Sequence, residues 1–252
     1  MITIDINCDV GESFGAYTIG NDAEIMKYIS SANVACGYHA SDPLVIQKTI
    51  EAALNQNVAI GAHPGFHDLE GFGRRNMHLT HEQLYASILY QVSALKSMTE
   101  ALGGKLNHVK PHGAMYNMAA TDYEMALIIA KAVKAIDPAL KLYGLTHSFL
   151  IKAASDCGLE AVSEAFVDRR YNQQGQLTPR SQADAVISDL DESVNQALQI
   201  ASVKQVKCNS GQIINIEAQT LCIHGDGDHA LPLAKKLNDA FKQNNITRKQ
   251  IL

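Results

Sequence analysis

Seven short apolar runs in the 252-residue sequence end on a histidine, carboxylate or cation, with glycine or proline in the same stretch at six of the seven. They close on Cys8-Asp9-Val10-Gly11-Glu12, Cys36-Gly37-Tyr38-His39, Gly61-Ala62-His63-Pro64, Lys110-Pro111-His112-Gly113, Gly144-Leu145-Thr146-His147, Glu164-Ala165-Phe166-Val167-Asp168-Arg169-Arg170 and His224-Gly225-Asp226-Gly227-Asp228-His229. Imidazoles and carboxylates are the usual general acids and bases. One carboxylate and two imidazoles can also hold a divalent metal and leave positions open, which makes Asp9, His39 and His63 candidate ligands. No helical H-x-x-x-H spacing supports that set, so it depends on the fold bringing the three together. Lys110, Arg169 and Arg170 could hold a carboxylate or a phosphate, arginine in bidentate fashion. A single His-Gly would be read as a turn, and Asp9 alone as a cap. Repetition at seven ends points instead to one shared polar site, with the neighbouring glycines letting the backbone approach a ligand.

For that convergence the seven runs must be parallel strands of one sheet. Strands are expected over 2–8, 32–36, 58–62, 106–110, 140–144, 160–164 and 219–223, with amphipathic stretches between them. Asp42-Pro43 opens a helix with proline in its first turn. Thr80-x-x-Gln83 and Thr121-x-x-Glu124 read as capping boxes. Gly103-Gly104 and Asp137-Pro138 read as stops, and Ser181 to Ala201 as a further helix with Val186, Leu190, Val194 and Leu198 inward. Serial βα units predict a parallel sheet with right-handed crossovers, either open or closed. Seven units in one series favour a closed α/β barrel, whose βα loops gather on one face. The chain reads as a single domain over 1–252, with a β-hairpin insertion near 203–218 turning at Asn209-Ser210-Gly211-Gln212.

Composition excludes several classes. Hydrophobic residues at 46% and charged residues at 19% are those of a globular protein rather than a disordered one. A net charge of −5 gives no footprint for nucleic acid or an anionic membrane. The five cysteines form no C-x-x-C pair and read as reduced core thiols. No n-region and h-region open the chain, and no apolar run approaches the roughly 20 residues of a membrane span, so a cytoplasmic protein is expected. Gly103-Gly104-Lys105 lacks the rest of a Walker A sequence, and no G-x-G-x-x-G follows the first strand. Gly71-Phe72-Gly73-Arg74-Arg75 reads as a flexible cationic loop.

These motifs, in order over nearly the whole chain, resemble the LamB/YcsF family. The likeness is carried by Asn7-Cys8-Asp9-Val10-Gly11-Glu12, Asn33-Val34-Ala35-Cys36-Gly37-Tyr38-His39-Ala40-Ser41-Asp42-Pro43, Gly61-Ala62-His63-Pro64-Gly65, Gly71-Phe72-Gly73-Arg74-Arg75, Val109-Lys110-Pro111-His112-Gly113-Ala114-Met115-Tyr116-Asn117, Glu164-Ala165-Phe166-Val167-Asp168-Arg169-Arg170-Tyr171 and Cys222-Ile223-His224-Gly225-Asp226. Ser41 and Tyr38 depart from the family pattern without removing a charge. The resemblance implies a distorted, TIM-like (β/α)7 barrel similar to the glycoside hydrolase/polysaccharide deacetylase superfamily. It implies ATP-dependent hydrolysis of 5-oxoproline to glutamate, with ATP as cofactor and two partner subunits, B and C. Phosphorylation of the lactam oxygen would make that oxygen a leaving group and expose the ring carbon to water. Asp9, Glu12, His39, His63, Lys110 and His112 are then the expected catalytic groups. Arg74, Glu164, Arg169, His224 and Asp226 are expected to bind substrate or phosphate. A divalent metal on Asp9, His39 and His63, and a homo-oligomer, are compatible with this reading. Two other functions fit the same residues: a stand-alone metal-dependent deacetylase or amide hydrolase, and a non-catalytic metabolite- or carbohydrate-binding subunit.

Overall fold

The computed structural model describes residues 2–180, 182–227 and 229–251. Among the described residues ten strands are formed: β1 (Ile2–Val10), β2 (Ser31–Ala35), β3 (Ala59–His63), β4 (Leu106–Val109), β5 (Lys141–Leu145), β6 (Glu160–Phe166), β7 (Gln205–Lys207), β8 (Ile213–Asn215), β9 (Thr220–Ile223) and β10 (Ile246–Arg248). All neighbours in the order β1-β2-β3-β4-β5-β6-β9 are parallel, and β9 pairs back onto β1. The sheet is thus a closed seven-stranded barrel, as the serial βα pattern predicts. The first three residues of β1 pair instead with β10, and Asp5 to Cys8 pair with β9. β7 and β8 form an antiparallel hairpin outside the barrel.

Among the described residues eight α-helices accompany the strands: α1 (Asp22–Ile25), α2 (Pro43–Asn55), α3 (His81–Ala101), α4 (Gly113–Thr121), α5 (Tyr123–Ile136), α6 (Phe149–Cys157), α7 (Leu190–Val203) and α8 (Ala230–Gln243). α2 starts at Asp42, whose carboxylate accepts from the N–H groups of Leu44 and Val45, with Pro43 at N1. α3 starts at Thr80 in a reciprocal capping box with Gln83. Two helix starts differ from expectation. Thr121 closes α4, and the cap of α5 is Asp122, whose side chain accepts from Met125. α7 begins at Leu190 because Asp189 caps it through Glu192. Ser181, the expected start, lies outside the described residues. The preceding segment packs as a loop, with bridges Arg169–Val186 and Tyr171–Leu177, and leaves Val186 exposed.

The apolar core lies between barrel and helices. On β1, Ile4, Ile6, Cys8 and Val10 are buried in it. The intervening Asp5, Asn7 and Asp9 are also buried but hydrogen-bond to residues of other strands, so they face the barrel interior. A strand alternates its faces with period two. Here the alternation separates an apolar outer face from a polar inner one, whereas barrel interiors are more often filled by branched aliphatics.

Candidate active site

The polar interior is stacked in layers along β1. At the lowest layer Asp5 accepts from the hydroxyls of Ser30, Ser31 and Thr220 at 2.6–2.8 Å. Above it the Asn7 amide donates to Glu164 and Thr220 at 2.8 Å each, and its oxygen accepts from Asn33 at 2.7 Å. His108 from β4 crosses to the oxygen of Asn33 at 2.8 Å, over Gly61 of β3. A Cβ on Gly61 would lie 2.1 Å from the His108 ring, so glycine is required there. Burial, with Lys110 nearby, pushes the His108 imidazole down to about 3, and it stays neutral.

Lys110 is the hub of the next layer. It follows β4 and is fully buried, with Nζ 3.0 Å from Asp9 Oδ1, 2.9 Å from Glu164 Oε1, 3.1 Å from Asn7 Oδ1 and 3.0 Å from Cys222 Sγ. A buried cation is tolerated only when paired and hydrogen-bonded. Burial alone would lower its pKa, but Asp9, Cys222 and Glu164 outweigh burial and hold it well above the ordinary lysine value. Burial likewise works to raise Asp9, yet His63 and Lys110 hold that carboxyl well below the usual range. Asp9 is therefore an ionised carboxylate near neutral pH, fixed by Lys110 and by Asn33 at 2.8 Å.

The second oxygen of Asp9 lies 3.4 Å from His63 Nε2 and leads into a compact group of four buried side chains. Glu12, His39, His63 and His112 each present one ligand atom, all within 4.8 Å of one another. Glu12 Oε1 is 3.6 Å from His39 Nε2 and 3.7 Å from His112 Nδ1. His63 Nε2 is 2.9 Å from His112 Nδ1, and the His39 and His112 rings stack at 3.7 Å, nearly parallel. This group could bind a metal ion. Burial, then Asp9 and Asp226, pushes Glu12 well above its ordinary value. Burial and the other imidazoles push His39 and His112 well below theirs.

The loop after β3 roofs the group. The Phe72 carbonyl accepts from His112 Nε2 at 2.8 Å, and the Phe72 ring stands edge-on to His39 and His112. Asp68 ties the loop through Arg75 and the Gly71 N–H, and Gly73 accepts from Ala114 at the start of α4. The segment expected to be a flexible loop is thus bonded at both ends. Gly73 has φ of 63°, and a Cβ there would lie 2.7 Å from His39, so this roof also depends on a glycine.

A cleft of about 530 Å³ opens onto Asp9, His63, Lys110 and His112. Its walls include Tyr116 and Phe166, and Arg74, Arg169 and Arg180 stand around it. Arg74 is ion-paired to Asp226. His224 joins the wall, and its Nδ1 contacts the Asp168 carboxylate at 2.8 Å, which leaves Nε2 for the cleft. Burial tends to raise Asp168, but His224 and Arg169 lower it on balance.

The strand ends thus bring together Asp9, Glu12, His39, His63, Lys110 and His112, with Arg74, His224 and Asp226 at the rim. Three of the expected residues sit in surroundings that the sequence does not show. Asp9 borders the four-residue metal-competent group rather than belonging to it, because one oxygen is held by Lys110 and Asn33; Glu12 and His112 complete the set with His39 and His63. Glu164 is not on the cleft wall, since both its oxygens are taken by Asn7, Lys110 and Tyr116, so it positions Lys110. Arg169 reaches the wall with its guanidinium already donating to the carbonyls of Ala185 and Thr178. His67, His147 and His229, also at strand ends, remain exposed. Sequence reasoning missed Asn7, Asn33, Arg180 and the Asp168–His224 pair. For Asn7 the signal was present: Asp5, Asn7 and Asp9 alternate with aliphatics on one strand. For Arg180, in an irregular loop, there was none.

The closed parallel barrel has a counterpart among solved structures in a family 4 carbohydrate esterase from Streptomyces lividans, in complex with acetate. The chain superimposes on it with a TM-score of 0.51 at 11% identity, covering 100% of this chain and 93% of that one, which is a likeness of fold alone. The LamB/YcsF family model matches residues 4–252, and the chain belongs to that family. It is 52% identical over 248 residues to proteins named as the A subunit of 5-oxoprolinase, from Bacillus cereus (strain 03BB102) and Bacillus mycoides (strain KBAB4), covering 98% of both chains in each case. It is 42% identical to the lactam utilization protein of Thermus thermophilus, with a TM-score of 0.94 over 99% of this chain and 100% of that structure. Among the described residues no helix is long and apolar enough to cross a membrane.

Proposed function

We propose that this chain is the A subunit of an ATP-dependent 5-oxoprolinase, acting with B and C subunits to hydrolyse 5-oxo-L-proline to L-glutamate, ADP and phosphate. The observation that carries the reading is the 52% identity, end to end, with relatives named for the A subunit of that enzyme. The site is chemically suited to it. A lactam is an unactivated amide, and transfer of a phosphoryl group from ATP to its carbonyl oxygen makes the ring carbon electrophilic. Water adds to that carbon, the C–N bond breaks with its electron pair leaving on nitrogen, and the amine takes a proton. A second water displaces phosphate from the resulting acyl phosphate, so one ATP and two waters are consumed per glutamate.

Such a route needs an ionised base near neutral pH, and Asp9, held low by its neighbours, is that base. It needs fixed positive charge where anionic oxygen develops, supplied by Lys110 beneath the cleft and by Arg74 and Arg180 around it. His224, oriented by Asp168, is a proton donor for the departing nitrogen.

A stand-alone amide hydrolase is the second reading, favoured by the buried Glu12/His39/His63/His112 group. Glutamate and ADP measured from 5-oxoproline plus ATP separate the two. Equimolar products formed only with B and C subunits present are expected. Absence of glutamate in that mixture, with each subunit folded, overturns the proposal; ATP-independent hydrolysis by the chain alone would establish the second reading.

A further inference from the structure

The hydrogen-bond directions around the three clustered imidazoles identify what must lie between them. His63 Nδ1 is 2.7 Å from the carbonyl oxygen of Lys110, and His112 Nε2 is 2.8 Å from that of Phe72. A carbonyl can only accept, so each of these nitrogens carries the hydrogen. In the neutral rings the lone pairs then sit on His63 Nε2 and His112 Nδ1, which face each other at 2.9 Å. Glu12 Oε1 and His39 Nε2 point into the same space, 3.6 Å apart, and neither has a hydrogen-bond partner among the described residues. Two lone pairs, a carboxylate oxygen and an unpartnered imidazole nitrogen therefore converge, in side chains at most 5% exposed. Buried polar atoms are rarely left so, and a group of this kind calls for a cation. One shared proton would serve the His63–His112 contact alone and leave Glu12 and His39 unpartnered.

We infer that Glu12, His39, His63 and His112 form a binding site for one divalent transition-metal ion of the zinc type. Three imidazoles and one carboxylate suit zinc, cobalt or iron; magnesium and calcium prefer all-oxygen sets. The carbonyls of Lys110 and Phe72 fix the tautomers of two ligands, as hydrogen-bonded partners do in metal sites generally. Gly65 leaves room for the His39 ring and Gly73 for the His112 ring, since a Cβ would lie 2.6 Å from the first and 2.8 Å from the second. Asp9 stays outside the ligand set, with its nearest oxygen 3.4 Å from His63 Nε2. A metal there would supply a Lewis acid beside the Asp9 carboxylate. Metal binding at this group does not depend on the reaction assigned above.

The test uses the full chain, stripped with a chelator, dialysed against zinc and analysed for metal content, and in parallel loaded with cobalt(II) for visible absorption. One equivalent of zinc per chain is expected, with a cobalt spectrum of nitrogen and oxygen ligation. Glu12→Gln and His112→Asn should each weaken zinc binding about tenfold or more, while Cys36→Ser leaves it unchanged. No zinc uptake by a chain with native circular dichroism would overturn the site. So would a thiolate-to-cobalt charge-transfer band, which would move the ligands to the nearby buried cysteines. The cobalt spectrum of the unaltered chain decides the matter even where a ligand variant fails to fold.

Discussion

At the scale of single residues the molecule turns on Lys110. Its ammonium holds two buried carboxylates, Asp9 and Glu164, and among the described residues neither has another cation within salt-bridge distance apart from His63 beside Asp9. Breaking a buried ion pair by removing one partner costs more than the pair contributes, because the other charge is left in a poor solvent. Lys110→Met is therefore expected to lose about 3–5 kcal/mol of stability, read as a lower urea midpoint, and to abolish turnover in the assembled enzyme. Lys110→Met combined with Glu164→Gln should recover part of the stability and none of the turnover, because the Lys110 charge beside Asp9 and the cleft is still missing. Additive losses of stability in the double variant would contradict the network.

The elements matter through where they end. β1 passes directly into the turn that presents Glu12, and that turn is pinned by Asp22 at the start of α1, which accepts from the Gly11 N–H at 2.9 Å. Burial raises the Asp22 carboxyl to about 6, above an ordinary value of 3.8. The folded state therefore binds this proton more readily than the unfolded one. Its contribution to stability is fully present below the unfolded pKa and is lost as pH rises through the folded one, with an upper bound of about 3 kcal/mol. Asp22→Asn keeps an acceptor for Gly11 without the charge. It is expected to be more stable than the parent at about pH 7 and to lose that advantage by about pH 4, measured as urea midpoints across that range. A difference independent of pH would exclude Asp22 as the titrating group.

The loop after β9 presses from the other side. A Cβ on Gly225 would lie 2.1 Å from the Asp9 carbonyl oxygen. Gly225→Ala should cost about 1–3 kcal/mol and displace Asp9, reducing kcat more than it raises KM in steady-state kinetics. A fully active variant would show that the contact is not rigid.

These elements also mark what could be read from sequence and what could not. The seven barrel strands were legible because each is a short apolar run bounded by glycine, proline or a capping residue, and such signals are local. β10, three residues long, has no periodicity to detect. The start of α7 was misread because Val186 continues a helical spacing, whereas Asp189 offers the cap that the chain uses. At the site, the clustering of Asp9, His39, His63 and His112 followed from parallel strand ends. The split between Asp9 and Glu12 did not, since it depends on Lys110 reaching Asp9 from three strands further along the chain. The charge of Glu164 suggests substrate or phosphate binding, and its partners Asn7, Lys110 and Tyr116 are too distant in the chain to be read from sequence.

At the scale of the whole molecule, the four proposed metal ligands come from the ends of β1, β2, β3 and β4, so one ion would tie consecutive barrel strands at their open ends. Anything that binds the folded chain and not the unfolded one stabilises it by mass action. At a free concentration one hundred times Kd the gain is about 2.7 kcal/mol. For a chain of this size each kcal/mol moves Tm by about 2–4 °C, so zinc should raise Tm by roughly 5–10 °C over the chelated protein. Glu12→Gln should start from a Tm close to or above that of the chelated parent, because removing an unpaired carboxylate relieves the crowding of unpartnered polar atoms, and it should gain far less on adding zinc. The crossing is diagnostic: the variant at least as stable as the parent without metal and less stable with it. A uniform loss in both conditions would make Glu12 a structural residue, and a uniform gain would mean that no metal occupies the group. Differential scanning calorimetry of the two proteins, each with chelator and with zinc, distinguishes the three.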